Sequence, residues 1–310
     1  MSFLFHSPLV NEEALRLEAI ELLTHKRMDQ MDFQWLTRIN NEKSTDLASM
    51  IFYEWSKHQY TEFINKQTTS QTNNKTKSKI LISPTLCYKE HPELGGEASL
   101  INDISESLRL DVDTVPLISL GSVQSNAEII IDHFKNEVSD QIWLVSISKG
   151  ALDLKRAIQL APEIILPKVR GWINLVGMIG GTLLTENKKG TPLSFRLLKY
   201  WLRIRGGRPN ISKEMGKNHP FSKSSLSLPE NITTISVVAI PLISHLRKPV
   251  LKSYLYLSQF GPNDGYVLLE DSILPNSIIL SFWGADHYLR TPELSKFANQ
   301  MLSYISRNKS

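Results

Sequence analysis

The fold of this chain is indicated most clearly by the stretch Ile142-Trp-Leu-Val-Ser-Ile-Ser148-Lys-Gly-Ala-Leu-Asp153. Its first half is almost wholly apolar, which is typical of a central parallel strand that is covered on both faces. Its second half begins a helix that ends at Pro162. Apolar residues recur in that helix at helical spacing: Ala151, Leu154, Ala157, Ile158 and Ala161. The stretch therefore predicts a buried strand, a sharp turn at a serine, and a helix.

The turn matches a known catalytic pattern. Ser146-Ile-Ser148-Lys-Gly150 fits the G-x-S-x-G nucleophile elbow, except that serine replaces the first glycine. In such an elbow the tight strand-to-helix turn strains the backbone at the nucleophile and lifts its hydroxyl clear of the sheet. Small residues two positions before and after it let the strand and helix approach, and serine is small. An ordinary loop after a parallel strand is the alternative interpretation of so short a pattern.

Length and composition indicate a globular protein. The 310 residues are 41% hydrophobic and 21% charged, so they can hold one large α/β domain with an attachment, or two domains. No apolar run is long enough to cross a bilayer, and the first residues lack the regions of a signal peptide. The single cysteine, Cys87, excludes an intrachain disulfide framework. These features predict a cytoplasmic protein.

Residues 1–66 predict a helical N-terminal region, with helices from Asn11 to about Thr24, around Phe33–Ile39 and over Ser44–Thr61. The last of these carries an apolar stripe formed by Leu47, Met50, Ile51 and Trp55. Such a stripe is typical of a packing face, either toward the main domain or toward a partner such as a second copy of the chain. Residues 67–78 are polar and low in complexity, so we interpret them as a linker or loop at a domain boundary.

Strands and helices alternate over residues 79–310, which predicts an α/β fold with a mainly parallel, doubly wound sheet. The predicted strands are 79–83, 112–120, 142–147, 171–176, 233–240 and 277–282. The predicted helices are 98–108, 127–138, 152–160, 249–260 and 292–305. Functional groups gather at the carboxyl ends of strands in such a sheet, and Ser148 follows one of these ends.

Residues 182–231 interrupt the alternation with about fifty residues that lack a clear strand, too many for a plain loop. The segment is basic, since its lysines and arginines far outnumber its glutamates. Within it Leu193, Leu197, Leu198, Trp201 and Leu202 predict one amphipathic helix. We interpret the segment as a cap inserted over the site. Its charge suits an anionic membrane surface or a substrate with an acidic head group, and a solvated charged face is the alternative.

A serine hydroxyl needs a base to take its proton, and that base needs an acid to orient it. Of the eight histidines, His287 is the one that follows a buried strand and a glycine-containing loop. Asp264 precedes it in a turn-rich segment. The order Ser148, Asp264, His287 is expected when the last strands of a sheet serve an elbow serine. Asp271 and Asp286 are rival acids, and Asp264 could instead simply form a turn.

An oxyanion hole in this arrangement would use the backbone N–H of Lys149 and one amide from the loop after the first core strand. Thr85 and Leu86 are the candidates for that second donor. Cys87 lies in the same loop but lacks an elbow, so we expect a buried, inert thiol. No metal-ligand cluster, phosphate-binding loop or dinucleotide fingerprint is visible in the sequence. We therefore expect no cofactor.

These residues resemble the α/β-hydrolase superfamily, of the lipase and esterase kind, from about Lys79 to the C-terminus. The matching segments are Val145-Ser-Ile-Ser148-Lys-Gly, Ile179-Gly-Gly181-Thr, Gly261-Pro-Asn-Asp264-Gly and Gly284-Ala-Asp-His287. The resemblance implies that Ser148 is the nucleophile, Asp264 the acid and His287 the base. The sequence departs from the pattern twice: Ser146 replaces a glycine, and the His-Gly pair of the lipase oxyanion loop is absent from Pro84-Thr-Leu-Cys.

The sequence thus predicts a serine hydrolase that cleaves the carboxylic ester of a lipid or another small acyl ester through an acyl-enzyme. A thioesterase or acyltransferase that uses the same three residues is an alternative. A non-catalytic, hydrolase-like binding protein is another. Nucleic acid is not an expected partner, because the basic segment lacks a recognisable nucleic-acid motif and the net charge is only +4.

Overall fold

A computed structural model of the chain describes most of its residues. The described ranges are 11–26, 30–69, 78–92, 101, 104–106, 108, 110–186, 189, 191–207, 210–248, 250–291 and 293–307. Most of the predicted helix over 98–108 lies outside these ranges, as do residues 1–10 of the N-terminal region and 70–77 of the predicted linker.

Six strands form one sheet in which every pair of neighbours is parallel, in the order β2-β1-β3-β4-β5-β6. Their bounds are β1 Lys79–Ser83, β2 Asp111–Thr114, β3 Ile142–Ile147, β4 Val169–Leu175, β5 Thr233–Ile240 and β6 Ile278–Trp283. Three of them begin and end where the sequence predicted. The predicted α/β fold with a parallel sheet is confirmed.

The second predicted strand, 112–120, is wrong at its C-terminal end, because β2 stops at Thr114. Val115 still donates its N–H to the carbonyl of Ile82 at 2.9 Å. Pro116 then has no N–H to offer a neighbouring strand. The N–H of Leu117 turns back to the carbonyl of Val115 at 2.7 Å. Val115, Leu117 and Leu120 are therefore buried in a loop and not in a strand, whereas Ile118 is exposed.

Helices cover both faces of the sheet. The longer ones are α1 Glu12–Lys26, α2 Phe33–Glu42, α3 Thr45–Thr69, α4 Val123–Asn136, α5 Lys149–Leu160, α6 Leu193–Ile204, α7 Val250–Leu257 and α8 Glu293–Arg307. On β3, Trp143 and Val145 pack in one core with α8, whereas Ile142 and Leu144 pack in another with α4 and α5. Because neighbouring residues of a strand face opposite sides, both faces are apolar, which explains the continuous apolar run.

The apolar stripe of α3 packs against the sheet. Ile51 is fully buried and shares a core with Val238 and Ile240 of β5. Polar contacts join the same parts: the hydroxyls of Ser56 and Ser281 lie 2.6 Å apart. The helices at the start of the chain therefore cover one face of the strands β5 and β6. A role for these helices in binding a partner, and a domain boundary at residues 67–78, stay predictions.

The predicted amphipathic helix in residues 182–231 is α6, and two short helical turns follow it at Ile211–Glu214 and Pro220–Lys223. A buried lysine joins this segment to the sheet layer: the Nζ of Lys155 on α5 donates to the carbonyls of Ile179 and Ser222 at 3.0 and 2.7 Å. Burial lowers the pKa of Lys155 to about 8. None of the helices in the described ranges combines the length and apolar character needed to cross a bilayer.

Candidate active site

The backbone at Ser148 is strained and is held on both sides. Its φ of 49° and ψ of −116° lie in a region that residues with a side chain rarely adopt. The N–H of Ser148 donates to the carbonyl of Leu175 at 3.1 Å, at the end of β4. The carbonyl of Ser148 accepts from the N–H of Met178 at 2.9 Å. Contacts from the neighbouring strand and its loop therefore maintain the sharp turn predicted between β3 and α5.

Gly150 and Ser146, the small residues on either side of Ser148, have different structural roles. A Cβ at Gly150 would lie 2.2 Å from the carbonyl oxygen of Ser83, so only glycine lets α5 start this close to β1. Ser146, which replaces the usual glycine, is buried within β3. Its hydroxyl donates to Oδ1 of Asn174 at 2.9 Å and accepts from Nε1 of Trp172 at 2.8 Å. The serine is tolerated because its hydroxyl is fully engaged.

The structure brings the three predicted catalytic side chains together. Oγ of Ser148 lies 2.8 Å from Nε2 of His287. Nδ1 of the same imidazole lies 2.7 Å from Oδ2 of Asp264. All three side chains are buried, and Asp264 is only 1% exposed. The imidazole thus bridges hydroxyl and carboxylate, which is the arrangement that lets a histidine take a proton from a serine.

Asp264 also forms the turn that the sequence suggested as its alternative role. Its Oδ1 accepts from the N–H groups of Tyr266 and Val267 at 2.9 and 2.8 Å, while Oδ2 serves His287. The N–H of Asp264 itself donates to the carbonyl of Val267 at 3.1 Å. Oδ1 therefore stabilises the turn. The turn holds the carboxylate so that Oδ2 points at the imidazole of His287.

The rival carboxylates point elsewhere. Oδ2 of Asp286 lies 2.6 Å from Nη2 of Arg290, in an exposed ion pair. Asp271 is largely buried beside Lys217, with Oδ2 and Nζ 2.7 Å apart. Burial raises the pKa of Asp271 to about 7 although the lysine opposes this shift. Asp271 and Asp286 thus each pair with a basic side chain. The carboxylate that contacts Nδ1 of His287 is that of Asp264.

Tyr266 is a neighbour of the imidazole that the sequence did not reveal. Its ring centroid lies 5.2 Å from that of His287 with the planes 80° apart, so the two rings meet edge to face. Its hydroxyl lies 3.2 Å from that of Tyr288. Burial raises the pKa of the Tyr266 phenol, so the ring stays neutral. Its position two residues after Asp264 is the only signal in the sequence, and it is too weak to have found the contact.

The predicted oxyanion donors lie around the same cavity as Ser148, which Thr85, Leu86 and Lys149 all line. Lys149 is the first residue of α5. The amides of a first helical turn have no carbonyl partner within their helix and are therefore available to an anion. Which of the two loop amides, that of Thr85 or that of Leu86, completes the pair stays a prediction.

The backbone N–H of Cys87, the next residue of that loop, already has an acceptor within the protein. The N–H of Cys87 donates to the carbonyl of Ser119 at 3.1 Å. Burial, together with the nearby Glu90, raises the pKa of the Cys87 thiol to about 12. The nucleophilic form of cysteine is the thiolate, which is negligible at such a pKa. The raised pKa therefore favours the inert thiol that the sequence predicts, although the Cys87 side chain is half-buried and not fully buried.

The side chain of Lys149 forms a buried ion pair that the sequence did not reveal. Its Nζ lies 2.7 Å from both carboxylate oxygens of Asp153, one turn further along α5. Nδ2 of Asn126 on α4 donates to the same carboxylate at 2.8 Å. Burial raises the pKa of Asp153 despite the lysine beside it. The pair ties the first turn of α5, directly after Ser148, to the neighbouring helix.

A cavity of about 670 Å³ opens beside Ser148 and His287. Its lining is largely apolar and comes from the sheet, from α6 and from α8; Leu175, Met178, Phe195, Trp201, Leu289 and Phe297 are among the lining residues. A volume of this order fits a drug-sized or acyl ligand. Residues of the predicted cap thus share the cavity with the candidate catalytic residues, although a lid function for this segment stays a prediction.

One group of side chains in the described residues has the chemistry of a metal site. Asp113, His133 and Glu137 hold their potential ligand atoms within 4.8 Å of one another. Nζ of Lys79 lies 2.7 Å from Glu137 and 3.5 Å from Asp113. The single ammonium group pairs with both carboxylates, so the cluster is an ion-pair network. Lys79 begins β1 and thus lies at the end of the sheet opposite the candidate active site.

The chain is similar to known proteins in its structure but not in its sequence. No protein-family model matches it, and no curated protein matches its sequence. A metagenomic carboxyl esterase superposes with a TM-score of 0.57 at 18% identity, over 76% of this chain and 76% of that chain. A lipase from Bacillus licheniformis in its mature form superposes with a TM-score of 0.50 at 17% identity, over 71% of this chain and 88% of that chain.

Identities this low show the fold alone. The order of parallel strands, the elbow after β3 and these superpositions agree that the chain has the α/β-hydrolase fold. The resemblance noted in the sequence is thereby confirmed at the level of the fold.

The buried pair behind the elbow is testable through stability. Replacing Asp153 by leucine leaves the buried ammonium of Lys149 without a partner. We expect this to lower the free energy of unfolding by about 3–5 kcal/mol, the usual cost of an uncompensated buried charge. Asp132→Leu is the matched control, because Asp132 pairs with Lys135 on the exposed face of α4 and should cost about 1 kcal/mol or less. Urea unfolding measures both, and equal losses would contradict the assignment.

Proposed function

We propose that the protein is a serine hydrolase that cleaves carboxylic esters through an acyl-enzyme. The observation that carries this proposal is the continuous set of contacts from Oγ of Ser148 through the imidazole of His287 to Asp264, with distances of 2.8 and 2.7 Å. The set lies at a strained elbow and beside an apolar cavity. Strain at a nucleophile, an oriented base and a water-poor pocket together suit acyl transfer.

In the proposed reaction, Oγ of Ser148 attacks the ester carbonyl while Nε2 of His287 takes the hydroxyl proton. Asp264 holds the imidazole and stabilises its positive charge. The N–H of Lys149 and an amide of Thr85 or Leu86 stabilise the negative oxygen that develops on the substrate. Collapse of the intermediate breaks the bond to the alkoxide, which leaves as the alcohol with the proton from His287. Water then attacks the acyl-enzyme while His287 takes a proton from it. The acid is released, and Ser148 regains its hydroxyl proton from His287.

Other reactions share these residues. A thioesterase differs in the leaving group, and an acyltransferase differs in the acceptor that replaces water. The activities of the carboxyl esterase and of the lipase belong to those proteins, and we use them only to choose the first substrates. A binding protein that has lost catalysis is the remaining alternative. A cytoplasmic location is part of the same proposal, since a single cysteine is typical of a reducing compartment.

Covalent labelling tests the proposal. A fluorophosphonate reacts with a serine whose hydroxyl is activated by a base, so the wild type should be labelled at Ser148. Ser148→Ala and His287→Ala should both lose the label, and hydrolysis of short p-nitrophenyl esters should fall by about 10⁴-fold or more. Mass spectrometry of the labelled peptide locates the probe.

Ser194→Ala is the matched control for labelling, because Ser194 lines the same cavity and belongs to α6. This variant should keep the label. A well-folded wild type that takes no label, or a His287→Ala variant labelled as fast as the wild type, would reject a serine hydrolase and favour the binding protein.

We further propose that α6 contacts an anionic lipid surface. Four large side chains on it are exposed at 66%, 49%, 51% and 83%: Leu193, Leu197, Tyr200 and Ile204. Their spacing places them along one stripe of the helix. The exposed Arg196 lies on the same helix, and the exposed Arg205 directly follows it. Exposed apolar residues combined with cations are typical of helices that lie in the interface of anionic membranes. Leu197 also lines the cavity, so such a contact would bring lipid substrates to its mouth.

Vesicle binding tests this contact. The double change Leu193→Ser and Ile204→Ser should weaken binding to phosphatidylglycerol vesicles by about tenfold or more, because each buried aliphatic side chain contributes about 1.5–3 kcal/mol. Val138→Ser is the control, since Val138 is 97% exposed but lies at the other end of the sheet. Sedimentation at low and high salt measures binding. Equal binding of phosphatidylcholine, or no loss in the double variant, would contradict the proposal.

A further inference from the structure

The cavity beside Ser148 continues downward along the sheet. Its lining includes Val145 and Ile147 of β3 and Ile173 and Leu175 of β4. Val145 pairs with Ile173, and Ile147 pairs with Leu175. Residues two apart on a strand face the same side, so these four side chains form one apolar wall. Because Val145 lies three residues before the nucleophile, the wall descends about 10 Å below it at ~3.3 Å per residue.

The facing wall is α8. Five of its residues line the same cavity: Leu294, Phe297, Ala298, Met301 and Leu302. Their spacing is that of a single helical face. The helix follows the loop that carries His287, so it starts at the level of the candidate active site and runs away from it. The eight steps from Leu294 to Leu302 give a depth of about 12 Å at ~1.5 Å per residue.

An aromatic pair lies at the lower end of both walls. Trp143 is the next residue down on the same face of β3, and Tyr304 follows the last lining residues of α8. Their rings meet edge to face with centroids 5.7 Å apart and planes at 83°. Trp143 is buried, and its ring also packs over Gly171. The pair closes the space between sheet and helix, which we call the acyl slot: Val145, Ile147, Ile173 and Leu175 opposite the five lining residues of α8.

We propose that the acyl slot binds the acyl chain of the substrate and that its depth selects an unbranched chain of medium length. The two walls independently give a depth of about 10–12 Å. An extended chain advances about 1.2 Å per bond, so the slot holds about eight to ten carbons. This inference rests on the proposed serine hydrolase function, and it adds the class of acid that the ester contains.

The slot suits the acyl part of an ester better than the alcohol part. After the first half of the reaction the acyl group stays on Ser148, whereas the alcohol must leave. A slot that begins at Ser148 and is closed below by Trp143 and Tyr304 can keep the first group and offers no exit to the second. The alcohol departs on the other side of the cavity, where the half-exposed Leu197 of α6 borders solvent.

A chain-length profile tests the proposal. With p-nitrophenyl esters from acetate to palmitate, kcat/KM should rise by up to about three- to fourfold per CH2 group and peak at octanoate or decanoate. Acetic esters of unbranched alcohols should show no such peak. Ala298→Trp places a large ring about halfway down the slot. It should move the peak to butyrate and lower kcat/KM for decanoate by about 30-fold or more, since about four CH2 groups are excluded.

Two further variants supply a control and a second change to the slot. Lys296→Trp puts the same ring on the exposed face of α8, and the profile should stay that of the wild type. Met301→Ala enlarges the lower part of the slot and should move the peak toward laurate, so the proposal does not depend on the folding of Ala298→Trp. A peak at acetate, a peak in the alcohol series, or an unchanged profile in both slot variants would overturn it.

Binding without turnover separates this inference from the proposed function. The Ser148→Ala protein should bind decanoate in calorimetry, and adding Ala298→Trp should weaken binding by at least about tenfold, whereas Lys296→Trp should not. If fluorophosphonate labels Ser148 but decanoate binds equally well with and without Ala298→Trp, the slot assignment is wrong and the hydrolase stands. If decanoate binding follows the slot variants while no ester is cleaved, the slot stands and the hydrolase is wrong.

Discussion

The strained backbone of Ser148 is the constraint on which the rest of the site depends. A residue with a side chain in such a conformation costs about 1–3 kcal/mol, so the surroundings must hold it in place. The end of β4 does so, since Leu175 accepts from the N–H of Ser148 and Met178 donates to its carbonyl. On the other side Gly150 lets α5 begin against β1. The hydroxyl of Ser148 is thereby aimed at His287 by elements that themselves belong to the core.

The groups around the Ser148 hydroxyl are held by contacts that also stabilise the local fold. Asp264 holds its own turn with one carboxylate oxygen and the imidazole with the other. Tyr266, placed by that turn, packs its ring against His287. On the helix side the buried pair of Lys149 and Asp153 fastens the first turn of α5. Each of these contacts thus has a structural role and involves His287 itself or the residue next to Ser148.

Much of the fold could be predicted because its main strands are buried on both faces. The runs 79–83, 142–147 and 233–240 are rich in apolar residues, and their predicted bounds are the bounds of β1, β3 and β5. The strand predicted over 112–120 failed where Pro116 ends the ladder, because a buried turn and a buried strand have similar composition. The candidate catalytic residues were found from their order along the chain and from their places after strands.

Other features depend on neighbours that are distant in the sequence. The contact of Tyr266 with His287, the partner of Lys149 and the ring contact between Trp143 and Tyr304 each arise from tertiary packing. The departure at Ser146 was visible in the sequence, but its tolerance follows from Trp172 and Asn174, which engage the hydroxyl. A pattern of residue types gives the location of a site, whereas the shape of its pocket comes from the packed layers around it.

In the proposed reaction, Ser148 carries the acyl group between the two steps. Rapid acid quenching during turnover of p-nitrophenyl decanoate, followed by intact-protein and peptide mass spectrometry, tests this most directly. We predict that a fraction of the protein gains the mass of one decanoyl group, on the peptide that contains Ser148. Hydrolysis without any acylated protein, under conditions where release of the acid limits the rate, would contradict this mechanism, as would an acyl group on another residue.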